Sequence, residues 1–95
     1  FGDGRYELLS LIGDTGSINR AAKELKMSYR KAWGDVKLME KRFGFNLVGT
    51  KTGGASGGGA ELTEDARRLL EKYGRFRMGV DAAIEKQFTE VFGRE

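Results

Sequence analysis

Three cations and a tryptophan lie close together near the middle of the chain: Arg30, Lys31, Trp33 and Lys37. Arginine and lysine side chains donate hydrogen bonds to phosphate oxygens and to guanine edges in the DNA major groove. The window from Ser17 to Thr52 holds nine Lys and Arg against three acids, a charge of +6, so the rest of the chain sums to −3 against the total of +3. This concentration is typical of a polyanion-binding protein, although a solvated helical face gives the same pattern.

Cysteine and histidine are both absent. Disulfides, thiol or imidazole zinc sites and Ser–His or Cys–His nucleophiles are therefore excluded. The acids are scattered along predicted helices, and Glu64 and Asp65 are interpreted as helix-capping acids rather than catalysts. We expect no enzyme, metal or cofactor in this chain. No apolar run approaches the roughly 18 residues that span a bilayer, so we expect a cytoplasmic protein without a membrane partner.

Apolar periodicity predicts the helices that would support these cations. A first helix over Arg5–Ile12 would end at Gly13, and Ser17 would cap a second helix. Ala21 and Ala22 at the centre of that helix would allow close packing against a third. The turn at Lys26–Met27 is short, and this pattern of two capped helices is typical of a helix-turn-helix.

The third helix is predicted to run from Tyr29 to about Arg42, capped by Ser28 and stopped by Gly44. Its inward face repeats at spacings of four, three and four, with the members Ala32, Val36, Met39 and Phe43. The four candidate residues above would lie on the opposite face.

A hairpin and a long helix are predicted to follow. Phe45–Lys51 and Ala60–Leu62 are plausible strands around Thr52–Gly59, which has five glycines in eight residues. A hairpin directly after a recognition helix is a wing. Thr63 would cap a last helix that continues to about Phe92. We expect a mainly α winged helix-turn-helix over residues 1–62, with residues 63–95 forming a packing and dimerisation helix of the same domain.

Three segments resemble a known family of bacterial regulators. The stretch from Thr15 to Ser28 resembles the helix-turn-helix opening of LysR-type and ModE-type proteins. Ser-Tyr-Arg-Lys-Ala-Trp at 28–33 and the Gly-rich segment ending in Leu62-Thr63 resemble the ModE recognition helix and wing. The resemblance implies a molybdate-responsive transcriptional regulator that binds double-stranded DNA as a homodimer. Members carry a separate C-terminal oxyanion-binding region without a counterpart before Glu95, so molybdate sensing is not carried over. We expect either part of a longer sensor or a stand-alone DNA-binding version.

In the docking mode of helix-turn-helix proteins, the third helix would enter the DNA major groove. Arg30 and Lys31 are the candidates for base contacts, the alternative being phosphate contact alone. The remaining candidates on the two helices would contact phosphates or flank the groove: Ser17, Asn19, Arg20, Ser28, Tyr29, Trp33 and Lys37.

The wing candidates are Lys51, Thr52, Gly53 and Gly54, whose backbone could reach a phosphate or the minor groove. The alternatives are a phosphate-binding nucleotide loop, which lacks the required Gly-Lys-Ser/Thr before a helix, and a flexible tip without function.

The last helix has a heptad-like apolar seam that would outrun the domain body from Phe76 onward. It predicts a two-fold dimer through the following residues: Leu69, Tyr73, Phe76, Val80, Ala83, Ile84, Phe88 and Phe92. A winged-helix module that binds a protein instead of DNA is the main alternative function, but it would not need the +6 window.

Overall fold

The computed structural model describes residues 1–51 and 59–93, with only the backbone of Lys51. These residues form four helices and a two-stranded hairpin: α1 (Asp3–Thr15), α2 (Ile18–Glu24), α3 (Tyr29–Phe43), β1 (Val48–Lys51), β2 (Gly59–Leu62) and α4 (Glu64–Phe92). This is the predicted mainly α winged helix-turn-helix. Within the described residues, no helix has the length and apolar character needed to cross a membrane.

The first helix is longer than predicted, and Gly13 does not end it. The glycine that ends α1 is Gly16, which has a φ of 70° and donates its amide to the Ile12 carbonyl at 2.9 Å. Gly13 lies inside the helix, where a Cβ atom would stand 2.7 Å from Cδ1 of Leu62. Its role is therefore to let β2 pack closely against α1.

The replacement Gly13→Ala is expected to destabilise the protein although alanine favours helices. Leu62 is only 9% exposed, so its side chain must shift within the core, at a cost of up to about 1–3 kcal/mol against a helical gain of about 1 kcal/mol or less. Gly4→Ala is the matched control, because a Cβ at Gly4 meets nothing within 4 Å. Urea denaturation should give a lower unfolding free energy for Gly13→Ala than for Gly4→Ala. Equal stabilities would contradict this role.

Local capping sets the ends of α2 and α3 as predicted. The Ser17 hydroxyl accepts from the Arg20 amide at 3.1 Å, and the Ser28 hydroxyl accepts from the Lys31 amide at 3.0 Å. Lys26, in the turn between these helices, has a φ of 56°, the left-handed region that usually favours glycine. The Met27 amide closes the turn by donating to the Ala22 carbonyl at 3.0 Å. These bonds fix the angle at which α3 leaves α2.

The hydrophobic core lies among α1, α2, α3 and the base of the hairpin. Ala32, Val36 and Met39 are buried on α3, as their spacing predicts. Phe43 differs from the prediction: it is 37% exposed and stacks on Phe45 with ring centroids 5.6 Å apart. The last turn of α3 therefore joins a surface aromatic cluster instead of the core. The core as a whole consists of Leu8, Leu9, Ile12, Ala21, Ala22, Ala32, Val36, Met39, Leu47, Ala60, Leu62 and Ala66.

The hairpin is antiparallel, with Val48 opposite Leu62 and Lys51 opposite Gly59. Its first strand starts three residues later than predicted, because the chain reverses at Gly44 (φ 81°) before it extends. The Ala60 amide donates to the Gly16 carbonyl at 2.9 Å. This bond fastens the second strand to the turn before α2.

The long helix α4 is capped by Thr63, whose hydroxyl accepts from the Ala66 amide at 3.1 Å. Tyr73 is half-buried, and its hydroxyl donates to Asp3 near the start of α1. Arg77 contacts the same carboxylate at 3.4 Å. The first half of α4 is therefore docked on α1, and most apolar side chains beyond it are exposed.

Candidate nucleic-acid interface

A cleft of about 360 Å³ opens between the start of α2, the outer face of α3 and the hairpin. Five predicted site residues line it: Ser17, Asn19, Tyr29, Trp33 and Lys37. The fold therefore brings the helix-turn-helix and the base of the wing to one face. The other lining residues are Ile18, Val36, Glu40, Val48, Gly49, Thr50, Gly59 and Ala60.

The candidate side chains of α3 point away from the core. A helix turns about 100° per residue, so Arg30 and Lys37 lie roughly opposite the buried face of α3. Trp33 is 46% exposed and Tyr29 is 51% exposed, so neither aromatic belongs to the core. Lys31 is exposed on the flank of the helix. Neither Arg30 nor Lys31 lines the cleft: Arg30 lies beside it on the outer face, and Lys31 lies on the flank away from Trp33.

Two of the cations are paired with acids that sequence reasoning did not single out. The Lys31 ammonium lies 3.0 Å from Oδ1 of Asp35, one turn later on α3. The Lys37 ammonium lies 3.2 Å from Oε1 of Glu40. Within residues 1–51 and 59–93, Arg30 forms no ion pair. Lys31 must therefore leave Asp35, whose side chain is only 16% exposed, before it can contact a phosphate or a base.

Lys37 is also held against an aromatic ring. Its ammonium nitrogen stands 5.1 Å from the centre of the Trp33 ring, within the range of a cation–π contact. Trp33 and Lys37 therefore present an aromatic and cationic surface to the cleft.

Glu40 joins α3 to the hairpin. One oxygen, Oε2, accepts from the amides of Leu47 at 2.8 Å and Val48 at 3.2 Å, while the other contacts Lys37. Burial opposes ionisation of this carboxyl, but the two amides and Lys37 outweigh it, so the pKa of Glu40 lies below its ordinary value. The Lys37–Glu40 spacing could have indicated the ion pair. The amide contacts depend on the chain reversal at Gly44, which the spacing does not indicate.

The lowered pKa of Glu40 predicts a pH-dependent contribution to stability. A carboxyl whose pKa is lower in the folded than in the unfolded protein makes its full contribution to stability when the pH is above the unfolded-state pKa, about 4.3. That contribution is lost as the pH falls through the folded-state pKa. Glu40→Gln keeps an acceptor but removes the charge, so at neutral pH it is expected to cost about 1 kcal/mol. The difference between the two proteins in urea denaturation should close in acid. A difference that does not change with pH would contradict this assignment.

The remaining predicted DNA-contact residues lie around the cleft rather than in its lining. Arg20 and Ser28 are exposed near the starts of α2 and α3. The backbone of Lys51 ends β1, next to the lining residues Gly49 and Thr50, which were not predicted. The proposed wing contacts at Thr52, Gly53 and Gly54 lie outside the described residues.

The predicted dimer residues divide into two groups along α4. Leu69 and Tyr73 are half-buried, and Leu69 packs on the core. Beyond them an apolar groove lies between Val80 and Phe92, lined also by Ala83, Ile84, Gln87, Phe88 and Val91. Phe76, Ala83, Ile84, Phe88 and Phe92 are exposed, whereas Val80 is half-buried instead of exposed as expected. The described residues contain no cluster of His, Cys, Asp or Glu that could hold a metal ion.

Comparison of the sequence with known proteins identifies relatives of this chain. The family model for bacterial regulatory helix-turn-helix proteins of the lysR family matches residues 5–67. The chain is 42% identical over 76 residues to the molybdenum-pterin-binding protein MopB of Rhodobacter capsulatus, across 80% of this chain and 28% of that protein. It is 46% identical over 69 residues to the transcriptional regulator ModE of Haemophilus influenzae, across 73% and 27%.

A further relative is the DNA-binding transcriptional dual regulator ModE of Escherichia coli, 41% identical over 69 residues, across 73% of this chain and 26% of that protein. The chain thus spans little more than a quarter of the length of these three relatives. The predicted resemblance to the DNA-binding part of ModE-type regulators is confirmed.

Proposed function

The chain belongs to the lysR family of bacterial regulatory helix-turn-helix proteins, which bind DNA to regulate transcription, and we propose that it recognises a specific duplex sequence with α3 in the major groove. The observation that carries this proposal is the shared cleft, where the start of α2, the outer face of α3 and the base of the hairpin meet. A duplex that rests on this face meets all three elements at once. Its phosphates also meet the part of the chain with the greatest positive charge.

Each element has a distinct role in this docking. Arg30 and Lys31, in the first turn of α3, read guanine edges, while Tyr29, Trp33 and Lys37 contact the groove wall and its phosphates. The start of α2 approaches the backbone through Ser17, Asn19 and Arg20. The helix α3 enters the groove near its N-terminus, where Ser28 is already occupied as a cap. We propose that Lys51, Thr52, Gly53 and Gly54 contact the adjacent backbone or the minor groove.

A second copy of the chain covers the exposed half of α4. This proposal is supported by the apolar groove from Val80 to Phe92, where the rings of Phe88 and Phe92 lie 4.8 Å apart. Ile84 is 59% exposed and Phe88 is 57% exposed in the single chain, so burying them removes apolar surface from water. A two-fold dimer would place two copies of α3 about 34 Å apart, one turn of DNA.

Selection of bound duplexes from a random pool tests the proposal. We expect an enriched motif with two-fold symmetry, because two copies of α3 would read two half-sites. For the selected duplex, fluorescence anisotropy should show a loss of affinity of about 1,000-fold between about 50 and 200 mM salt, because neutralised phosphates release counterions. A pool without enrichment, or an affinity independent of salt, would contradict sequence-specific DNA binding.

A further inference from the structure

We infer that Glu40 is a positioning residue that locks the hairpin onto α3, so that the wing and the recognition helix engage a duplex as one unit. The inference rests on the proposed DNA binding and assigns Glu40 no contact with DNA. Glu40 is an acid in the lining of a cleft that would face phosphates. Phosphate repulsion makes a carboxylate unfavourable there, unless its charge is neutralised by the protein.

Contacts within the protein neutralise the charge of the Glu40 carboxylate. The Glu40 side chain is only 9% exposed, and one of its oxygens faces Lys37. The other oxygen receives the two successive amides of Leu47 and Val48, where the chain enters β1. Hydrogen bonds to an ionised acceptor are stronger than neutral ones, so this carboxylate is a firm anchor for the first strand.

Three further hydrogen bonds attach the hairpin to the body or close its base. The Ala60 amide donates to Gly16, and the Thr63 amide donates to the Leu47 carbonyl at 3.0 Å. The Thr63 hydroxyl also donates to the Asn46 carbonyl at 2.7 Å. The first bond holds the hairpin to the end of α1, and the two Thr63 bonds close the base of the hairpin at the start of α4. The Glu40 bonds join the hairpin to α3. Loss of the carboxylate would leave the body intact and loosen the wing relative to α3.

A matched pair of variants isolates this connection. Glu40→Ala and Glu40→Gln remove the same charge, so both relieve phosphate repulsion equally. Only Glu40→Gln keeps an oxygen that can accept from Leu47 and Val48. Lys51→Ala then reports on the engagement of the wing, because Lys51 ends the first strand of the hairpin.

Affinity for the duplex selected by the wild-type protein is measured for each combination. In the wild-type and Glu40→Gln backgrounds, Lys51→Ala is expected to weaken binding about 5-fold, the loss of one phosphate contact at moderate salt. In the Glu40→Ala background the same substitution should change affinity by less than about 2-fold, because coupled residues are not additive. Equal effects of Lys51→Ala in all three backgrounds would overturn the inference.

Amide hydrogen exchange of the free protein provides a readout that does not need DNA. Glu40→Ala should speed exchange at Leu47 and Val48 about 10-fold, while Glu40→Gln, which keeps an acceptor but loses the charge, should speed it less. Unchanged exchange in Glu40→Ala would also overturn the inference. If Glu40→Ala does not fold, Glu40→Met replaces it, since methionine is similar in length and offers no strong acceptor.

The two proposals can fail separately. Wild-type protein that binds no duplex would remove the DNA-binding function and the role of Glu40 in it, while exchange would still show whether the anchor exists. Wild-type protein that binds, with an additive effect of Lys51→Ala, would remove the role of Glu40 alone.

Discussion

Replacing Arg30 and Lys31 together with alanine is expected to weaken binding to the selected duplex by about 100-fold or more and to abolish its preference over a scrambled duplex. Each bidentate contact to a guanine edge contributes about 1–3 kcal/mol of discrimination, so two lost contacts remove most of the specificity. The fold should remain intact, because both side chains are exposed and alanine favours helices. Arg30→Ala alone should cost more than Lys31→Ala, since Lys31 must first leave Asp35.

Lys41 and Arg42 provide the matched control for this pair. They are exposed in the last turn of the same helix and carry the same total charge, but they lie about three turns away from the first turn that holds Arg30 and Lys31. Lys41→Ala with Arg42→Ala should weaken binding to both duplexes equally and preserve the preference. Anisotropy titrations with the two duplexes measure both effects. If the Arg30 and Lys31 substitutions also weakened both duplexes by the same factor, their role would be phosphate contact without base recognition.

Phe88→Asp is expected to convert the proposed dimer to a monomer and to reduce affinity for the two-half-site duplex by about 100-fold or more. A charged side chain in the apolar groove of α4 cannot be buried without a large desolvation cost. Once the two copies separate, the second half-site is no longer bound intramolecularly, and the gain from effective concentration is lost. Affinity for a single half-site should not change.

Thr89→Asp introduces the same charge at the next residue, which is exposed and does not line the groove. It should leave both the oligomeric state and the affinity close to wild type. Sedimentation velocity at micromolar concentration measures the first quantity and anisotropy the second. A monomeric wild-type protein would remove the dimer proposal, and so would a Phe88→Asp protein that still sediments as a dimer.

The parts of the fold that depend on local chemistry could be predicted from the sequence. Ser17, Ser28 and Thr63 cap their helices because a hydroxyl just before a helix satisfies a nearby amide. Ala32 and Val36 are buried because their spacing places them on one face of α3. In each case the residues that interact are near one another in the chain.

The sequence fails to predict contacts between residues that are distant along the chain. Gly13 follows the apolar pattern of α1 as a helix stop would, but it lies inside the helix, where a Cβ atom would meet Leu62, 49 residues later. Phe43 continues the apolar periodicity of α3, yet its ring packs on Phe45 at the surface after the chain reverses. Glu40 was counted only as a charge, because its amide partners become neighbours through that same reversal. Helical periodicity predicts which face is apolar but does not indicate where the neighbouring elements end.

In the proposed dimer, bending of the far half of α4 would move the two copies relative to each other. Phe76–Phe92 has 17 residues, about 25 Å of helix, and begins between two glycines, Gly74 and Gly79, that weaken helical stiffness. A bend of about 10° at this joint displaces the far end by about 4 Å, close to the rise of one base pair, about 3.4 Å. The spacing between two operator half-sites that such a dimer tolerates would therefore be set by the pliability of a helical segment that never touches DNA.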